Sequence, residues 1–353
     1  MRIILPNPRG FCAGVRMAID VVDQVLRLFP DRAIYVYHEI VHNRHVVERF
    51  RGQGVRFVER IADIPEGSVV VFSAHGIPPS VREEAERRNL TSIDATCPLV
   101  TKVHSEASRS AGKGYQILLV GHADHQEIIG TRGEAPDDTI VVESADQVPT
   151  LEVRDEDRLT YLTQTTLSTD DAAKVVRALR ERFPNIREPS SSTICYATTN
   201  RQHAVRQIAP EVDLTLVVGS RNSSNSVRLT EIAESAGSPA YLIDDASEID
   251  DAWLPRGSES AVLVTAGASA PEDLVAEVCR TLLSRHGGQL EHWDVIDEDV
   301  EFALPGALRR IIKARPDMEL PDSIVIGAEQ IDPDRYGAVP LTVSARSEPP
   351  TTI

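Results

Sequence analysis

The sequence predicts an α/β protein built from three similar modules, each a parallel sheet covered by helices. Two patterns carry that expectation. Short apolar runs such as Val69-Val70-Val71-Phe72, Ile117-Leu118-Leu119-Val120 and Leu214-Thr215-Leu216-Val217-Val218 recur along the chain, each leading into a small polar loop. Residues at helical spacing follow most of these loops. The runs are largely apolar rather than alternating, as strands buried on both faces of a parallel sheet are. A third observation is length: 353 residues suffice for two or three such modules.

Taken in order, Arg2-Ile3-Ile4-Leu5 reads as the first strand and leads into Gly10-Phe11-Cys12-Ala13-Gly14. Val15, Ala18, Ile19, Val22, Val25, Leu26 and Phe29 then fall at helical spacing until Pro30. Cys12 therefore sits on a glycine-flanked turn at a helix N-terminus, where unpaired N–H groups favour a thiolate. Val69–Phe72 runs into Ser73-Ala74-His75-Gly76 and a charged helix from about Val81 to Arg88. Ser92–Thr96 runs into Cys97-Pro98 and a helix near Val100–Ser110. Ile117–Val120 leads to Gly121–Glu127, and Leu159–Leu162 to Thr163–Ser168 and a helix ending at Phe183-Pro184. Cys195 lies in Thr193–Asn200, Ser223-Ser224-Asn225 follow Leu214–Val218, and Ser269 follows Ala261–Val264. Loops leaving strand carboxyl ends line the ligand crevice in such folds, and these loops all belong to that class.

Boundaries near Cys97 and at Pro189–Thr193 divide the chain into modules 1–96, 97–192 and 193–314, the first holding the N-terminal strand and the first of these cysteines. Residues 315–353, rich in proline and acidic groups, read as a flexible tail with one possible strand at Ser323–Gly327.

A net charge of −17 lacks the basic footprint of a nucleic-acid binder, and no apolar run is long enough to span a bilayer. The chain enters a strand at once, without a signal region, so a cytoplasmic protein is expected. In that reducing compartment four cysteines are not expected to form structural disulfides.

Cys12, Cys97 and Cys195 lie in turns, whereas Cys279 falls inside a helical pattern and reads as a small core residue. Three thiolates from distant turns can hold one inorganic centre where three modules meet. Without a CxxC pair or finger spacing, structural zinc is disfavoured, and three thiolates suit an iron–sulfur cluster with one iron left without a protein ligand. The plain alternative is three unrelated buried cysteines; the residues alone leave both open.

His42, His75, His122 and His125 lie on the ligand-facing loops, as metal ligands or as donors to phosphate oxygens. Ser223, Ser224, Asn225 and Ser269 supply short donors near helix N-termini, which suits phosphate. Capping boxes, Ser269 with Glu272 and Thr199 with Gln202, are the competing explanation for single hydroxyls. Glu127 supplies a proton if the crevice buries it and is otherwise an exposed loop carboxylate; Thr165 relays a proton or caps the next helix.

Together these stretches resemble one family. Pro8–Val15, His38-Glu39-Ile40-Val41-His42-Asn43, Ser73–Gly76, Asp94–Pro98, Gly121–Glu127, Thr163–Ser168, Ile194–Asn200, Gly219–Ser226 and Thr265–Pro271 are similar to the signatures of the 4-hydroxy-3-methylbut-2-enyl diphosphate reductases, in consistent order from residue 1 to about 310. The resemblance implies reductive removal of an allylic hydroxyl, giving isopentenyl and dimethylallyl diphosphate in the last step of the methylerythritol phosphate route. It implies one [4Fe–4S] cluster on Cys12, Cys97 and Cys195, with the substrate oxygen on the remaining iron. It implies diphosphate binding by His42, His75, His125, Ser223, Asn225 and Ser269, with Ser224 a neighbour; proton delivery by Glu127; and Thr165 near the substrate hydroxyl. A ferredoxin or flavodoxin is the implied electron donor. A non-catalytic iron–sulfur redox sensor and a zinc hydrolase of a phosphorylated metabolite are the rival readings.

Overall fold

The computed structural model describes residues 1–315, 323–326, 333–336 and 341–344. The chain opens with β1 (Arg2–Asn7) and α1 (Ala13–Leu28), followed by β2 (Ile34–Tyr37), α2 (Arg44–Gly52), β3 (Arg56–Val58), β4 (Val69–Phe72), α3 (Pro79–Arg87) and β5 (Thr91–Asp94). A second stretch holds α4 (Pro98–Gly112), β6 (Gln116–Val120), α5 (Gln126–Gly133), β7 (Thr139–Val142), β8 (Leu159–Thr163) and α6 (Thr169–Arg182). Next come α7 (Tyr196–Ile208), β9 (Leu214–Val218), α8 (Ser224–Ser235), β10 (Ala240–Ile243), β11 (Ala261–Ala266), α9 (Glu272–His286) and β12 (Gln289–Asp294). The last elements are β13 (Val300–Ala303), α10 (Gly306–Lys313), β14 (Ser323–Ile326), α11 (Pro333–Tyr336) and β15 (Leu341–Ser344).

Three parallel sheets result, in the orders β3-β2-β4-β5, β7-β6-β8 and β10-β9-β11-β1-β12-β15. The expected α/β class with three modules is therefore the observed one. Strands such as β4, β6 and β9 are buried at every position, which is why their sequences carry apolar side chains on both faces. Helix α1 presents Ala18, Val22 and Val25 to β2 and β4 through a shared core with Val36 and Val71.

Sheet pairing departs from the expected grouping at the N-terminus. The expected first module, 1–96, includes β1, but β1 pairs in parallel with β11 and β12 in the middle of the six-stranded sheet. Ile3 and Leu5 are buried among Leu216, Val264 and Leu290. Both of its edges are used, so β1 carries the following cysteine turn into the interior. The region read as a flexible tail also contributes structure. β14 pairs antiparallel with β13, β15 extends the six-stranded sheet beside β12, and Tyr336 is buried. Strand Ser323–Ile326 matches the one expected there; Gly327, placed at that strand's end, lies outside the described residues. Among the described residues no helix is long and apolar enough to cross a membrane.

Candidate active site

Each of the three turn cysteines is the N-cap of a helix: Cys12 of α1, Cys97 of α4 and Cys195 of α7. Their backbones are fixed by loops at other strand ends. Cys12 N–H donates to Ala268 O at 3.1 Å, Cys97 N–H to Ala74 O at 3.0 Å, and Cys195 N–H to Thr165 O at 3.1 Å. Gly10 adopts φ +62°, a conformation glycine takes at no steric cost, and turns the chain into Cys12. At Gly14 an added Cβ would lie 2.4 Å from Cys97 Sγ, so only glycine lets the first helix approach the second cysteine.

All three sulfurs line one cavity. Burial pushes each thiol above its ordinary range, Cys195 to about 11, and the negative charge of neighbouring thiolates adds to the shift at Cys97 and Cys195. The helix N-terminus alone therefore does not yield a thiolate at Cys12, contrary to the expectation from the turn: helix N–H groups lower its pKa, but desolvation dominates. Three such thiols ionise together only with positive charge between them, and a metal centre supplies that. Among the described residues no three His, Cys, Asp or Glu side chains gather closely enough to hold a single metal ion.

Beside the cysteines, His42, His75 and His125 form a cluster. The His42 and His75 rings stack at 3.9 Å, and His125 meets them edge-on at 5.5 and 6.0 Å. His125 Nδ1 accepts the Glu127 N–H at 3.2 Å, which leaves Nε2 as the N–H donor. Burial, then the neighbouring imidazoles, drives His125 down to about 3 and His75 well below the usual range, so both are neutral at pH 7. His42 Nδ1 donates to the Glu39 carboxylate at 3.3 Å, and that carboxylate also accepts from Asn222 Nδ2 at 2.7 Å.

Next to His42, Ser223 caps α8, and its Oγ lies 3.4 Å from Ser269 Oγ, which donates to the His42 carbonyl at 2.8 Å. Asn225 is 3% exposed, and among the described residues neither its amide oxygen nor its nitrogen has a hydrogen-bond partner. A buried amide left unsatisfied on both atoms costs stability unless a ligand completes it. Ser224 lies weakly against Thr166 O at 3.5 Å.

Glu127 stands in the first turn of α5 and is 2% exposed, not the exposed loop carboxylate its local sequence favoured. Oε1 accepts the Thr165 N–H at 2.6 Å and Oε2 faces Thr165 Oγ1 at 2.8 Å. Burial raises its pKa to about 7 despite these bonds. Thr165 does not cap the next helix; Ser168 does.

A sequence profile described as "LytB protein" matches residues 3–283. Proteins described as 4-hydroxy-3-methylbut-2-enyl diphosphate reductase are similar over nearly their full lengths. The one from Azoarcus sp. is 52% identical over 87% of this chain and 97% of its own, and that from Alcanivorax borkumensis 53% over 88% and 100%. A solved structure of the E-1-hydroxy-2-methyl-but-2-enyl-4-diphosphate reductase from Plasmodium falciparum superposes with a TM-score of 0.85 at 40% identity, covering 89% of this chain and 98% of its own. The chain belongs to the LytB family.

The family match encloses all twelve residues expected at the site, and all twelve line one cavity. His122 does not join them: its Nε2 lies 3.0 Å from Arg228 Nη2, outside the cavity lining. Cys279 is fully buried in the core around α9, as expected. Both proposed capping boxes are absent. Pro271 precedes α9 and Glu272 pairs with Arg9 at 2.5 Å, while Thr199 lies inside α7. Thr198 joins the site without having been expected from sequence: its N–H and hydroxyl lie 3.4 and 3.1 Å from Cys195 Sγ. Three residues after an N-cap cysteine is the capping-partner position, a signal present in the sequence.

Proposed function

We propose that this LytB-family chain reduces (E)-4-hydroxy-3-methylbut-2-enyl diphosphate to isopentenyl and dimethylallyl diphosphate, with Cys12, Cys97 and Cys195 holding one [4Fe–4S] cluster. The observation that carries the reading is the single cavity lined by three half-buried cysteines, a carboxyl raised to about 7 and a polar anion cradle without lysine or arginine. When bound, the cluster would relay two electrons, one at a time, from an external donor and would offer a Lewis-acidic iron for loss of the allylic hydroxyl. The balance is two electrons and two protons in, one C–O bond broken, one C–H bond formed and water released.

The chain's own groups bind and protonate. His125 Nε2–H, His42, His75, Ser223, Ser224, Asn225 and Ser269 line the cavity and together bind the diphosphate. Hydroxyl, amide and imidazole donors replace water around the phosphates without lysine, so the site gains little net positive charge before substrate arrives. Glu127 near pH 7 is a half-protonated acid. Thr165 Oγ1–H donates to Glu127 Oε2 at 2.8 Å; when the carboxyl is protonated the bond reverses, and the threonine hydrogen turns to the departing hydroxyl. A hydroxide leaves poorly, so protonation at that atom is the step these two residues serve.

Ferredoxin or flavodoxin is the proposed electron donor, and the cytoplasm, where three thiols stay reduced, the proposed location. A sensor without turnover would leave the Asn225 amide unsatisfied and needs no carboxyl poised near neutrality. Anaerobic incubation of the purified protein with the diphosphate and a chemical reductant tests the reading. Formation of both isomeric diphosphates is expected; a full iron–sulfur complement with no turnover contradicts it.

A further inference from the structure

We propose that Arg201 is a positioning residue for the three-cysteine site: it ties the Cys12 turn to the Cys195 helix and sets the charge beside the group those cysteines hold. The inference rests on the cluster reading above. Arg201 lies on α7, two turns from Cys195, and its side chain is 1% exposed. Nε and Nη2 donate to the Gly10 carbonyl at 3.1 and 2.9 Å, and Nη2 also reaches the Phe11 carbonyl at 3.5 Å. Nη1 donates to the Ala197 carbonyl at 3.0 Å. One planar group thus holds the two residues before Cys12 and the helix turn after Cys195.

Glu298 closes the arrangement, accepting from Nη1 at 3.0 Å and from Asn200 Nδ2 at 3.1 Å. The rigid five-donor fork of arginine is what permits this; lysine offers a point charge and no fork. Taking both charges of an ion pair out of water carries a desolvation cost that pairing must offset. Neutral side chains could tie the same carbonyls without that cost. A full positive charge next to the Cys12 turn, partly offset by Glu298, is suited to an anionic centre that takes up further electrons.

The test compares anaerobically prepared holoenzymes of the wild type, Arg201→Gln, Arg201→Lys and Glu298→Gln. Iron and sulfide per chain are measured, and the reduction potential is followed by EPR titration. The inference predicts a severalfold loss of iron and a lower potential in Arg201→Gln. It predicts full iron and a higher potential in Glu298→Gln, which keeps the carbonyl contacts. Arg201→Lys should recover the potential but not the full iron content. A merely structural role gives no opposed shifts, so potentials unchanged, or moved the same way, overturn the inference. If Arg201→Gln does not fold, an unchanged potential in Glu298→Gln overturns it alone. A wild-type chain that binds no cluster removes the cluster reading itself, and this inference with it.

Discussion

Glu127 and Thr165 are joined at two points across the cavity wall, the carboxyl taking the threonine N–H at 2.6 Å and facing its hydroxyl at 2.8 Å. The contact links the start of α5 to the loop after β8, and the same loop holds the Cys195 amide through Thr165 O. The proposed proton donor and the proposed metal ligand are therefore set by one short stretch of backbone.

Replacing Glu127 by glutamine keeps the shape and an acceptor for the Thr165 N–H but removes the acid. We expect kcat to fall about 10²–10⁴-fold, the usual range for a lost general acid, with KM nearly unchanged. Steady-state kinetics check this; a raised KM at normal kcat would make the glutamate a binding group.

The pH dependence follows from the same residue. Its carboxyl is raised from 4.5 to about 7 by burial, so the protonated acid is lost as pH rises through 7. The rate should decline on the alkaline side of that value, and Glu127→Gln should lose this limb. The linked stability has the same sign. It is fully present below about pH 4.5 and falls as pH rises to about 7, because the unfolded chain releases this proton first. Urea unfolding of metal-free protein across pH 4.5 to 7 measures it, in wild type against Glu127→Gln.

Asn225 separates binding from stability. Its amide is buried and unsatisfied on both atoms among the described residues. Asn225→Ala should therefore leave the melting temperature unchanged or raised, while weakening diphosphate binding about tenfold, the worth of roughly 1.4 kcal/mol of hydrogen bonding. A variant with lower melting temperature and normal KM would contradict the cradle.

The cysteines divide three to one. Serine at Cys12, Cys97 or Cys195 should abolish iron retention, and Gly14→Ala should reduce it because its methyl meets Cys97 Sγ. Cys279→Ala, far from the cavity in the α9 core, should keep iron and turnover at a cost of about 1 kcal/mol in stability.

Much of the proposed site was legible in local sequence because most of its residues sit where a strand ends and a helix begins, and such junctions have short-range signatures; Cys195 is the exception, on the link from α6 to α7. Cys12 with its two glycines and Cys97 with Pro98 were visible for that reason. What sequence left open depends on distant contacts. The pairing of β1 with β11 and β12 joins residues more than 250 positions apart and leaves no periodic trace. Glu127 looked exposed because its burial comes from the loop after β8, and Ser269 looked like a cap because its real partner, the His42 carbonyl, lies 227 residues away. Arg201 carried no signal at all: an arginine inside a helix reads as a surface residue until its carbonyl partners at Gly10 and Phe11 are seen.

The central claim is that three sulfurs share one polynuclear centre that the diphosphate substrate meets. The most direct measurement is iron and sulfide content with EPR of the anaerobic, reduced protein, before and after adding substrate. The account predicts about four irons per chain and a spectrum that changes on addition. A protein that turns over the diphosphate without iron, or an iron spectrum indifferent to substrate, would contradict it.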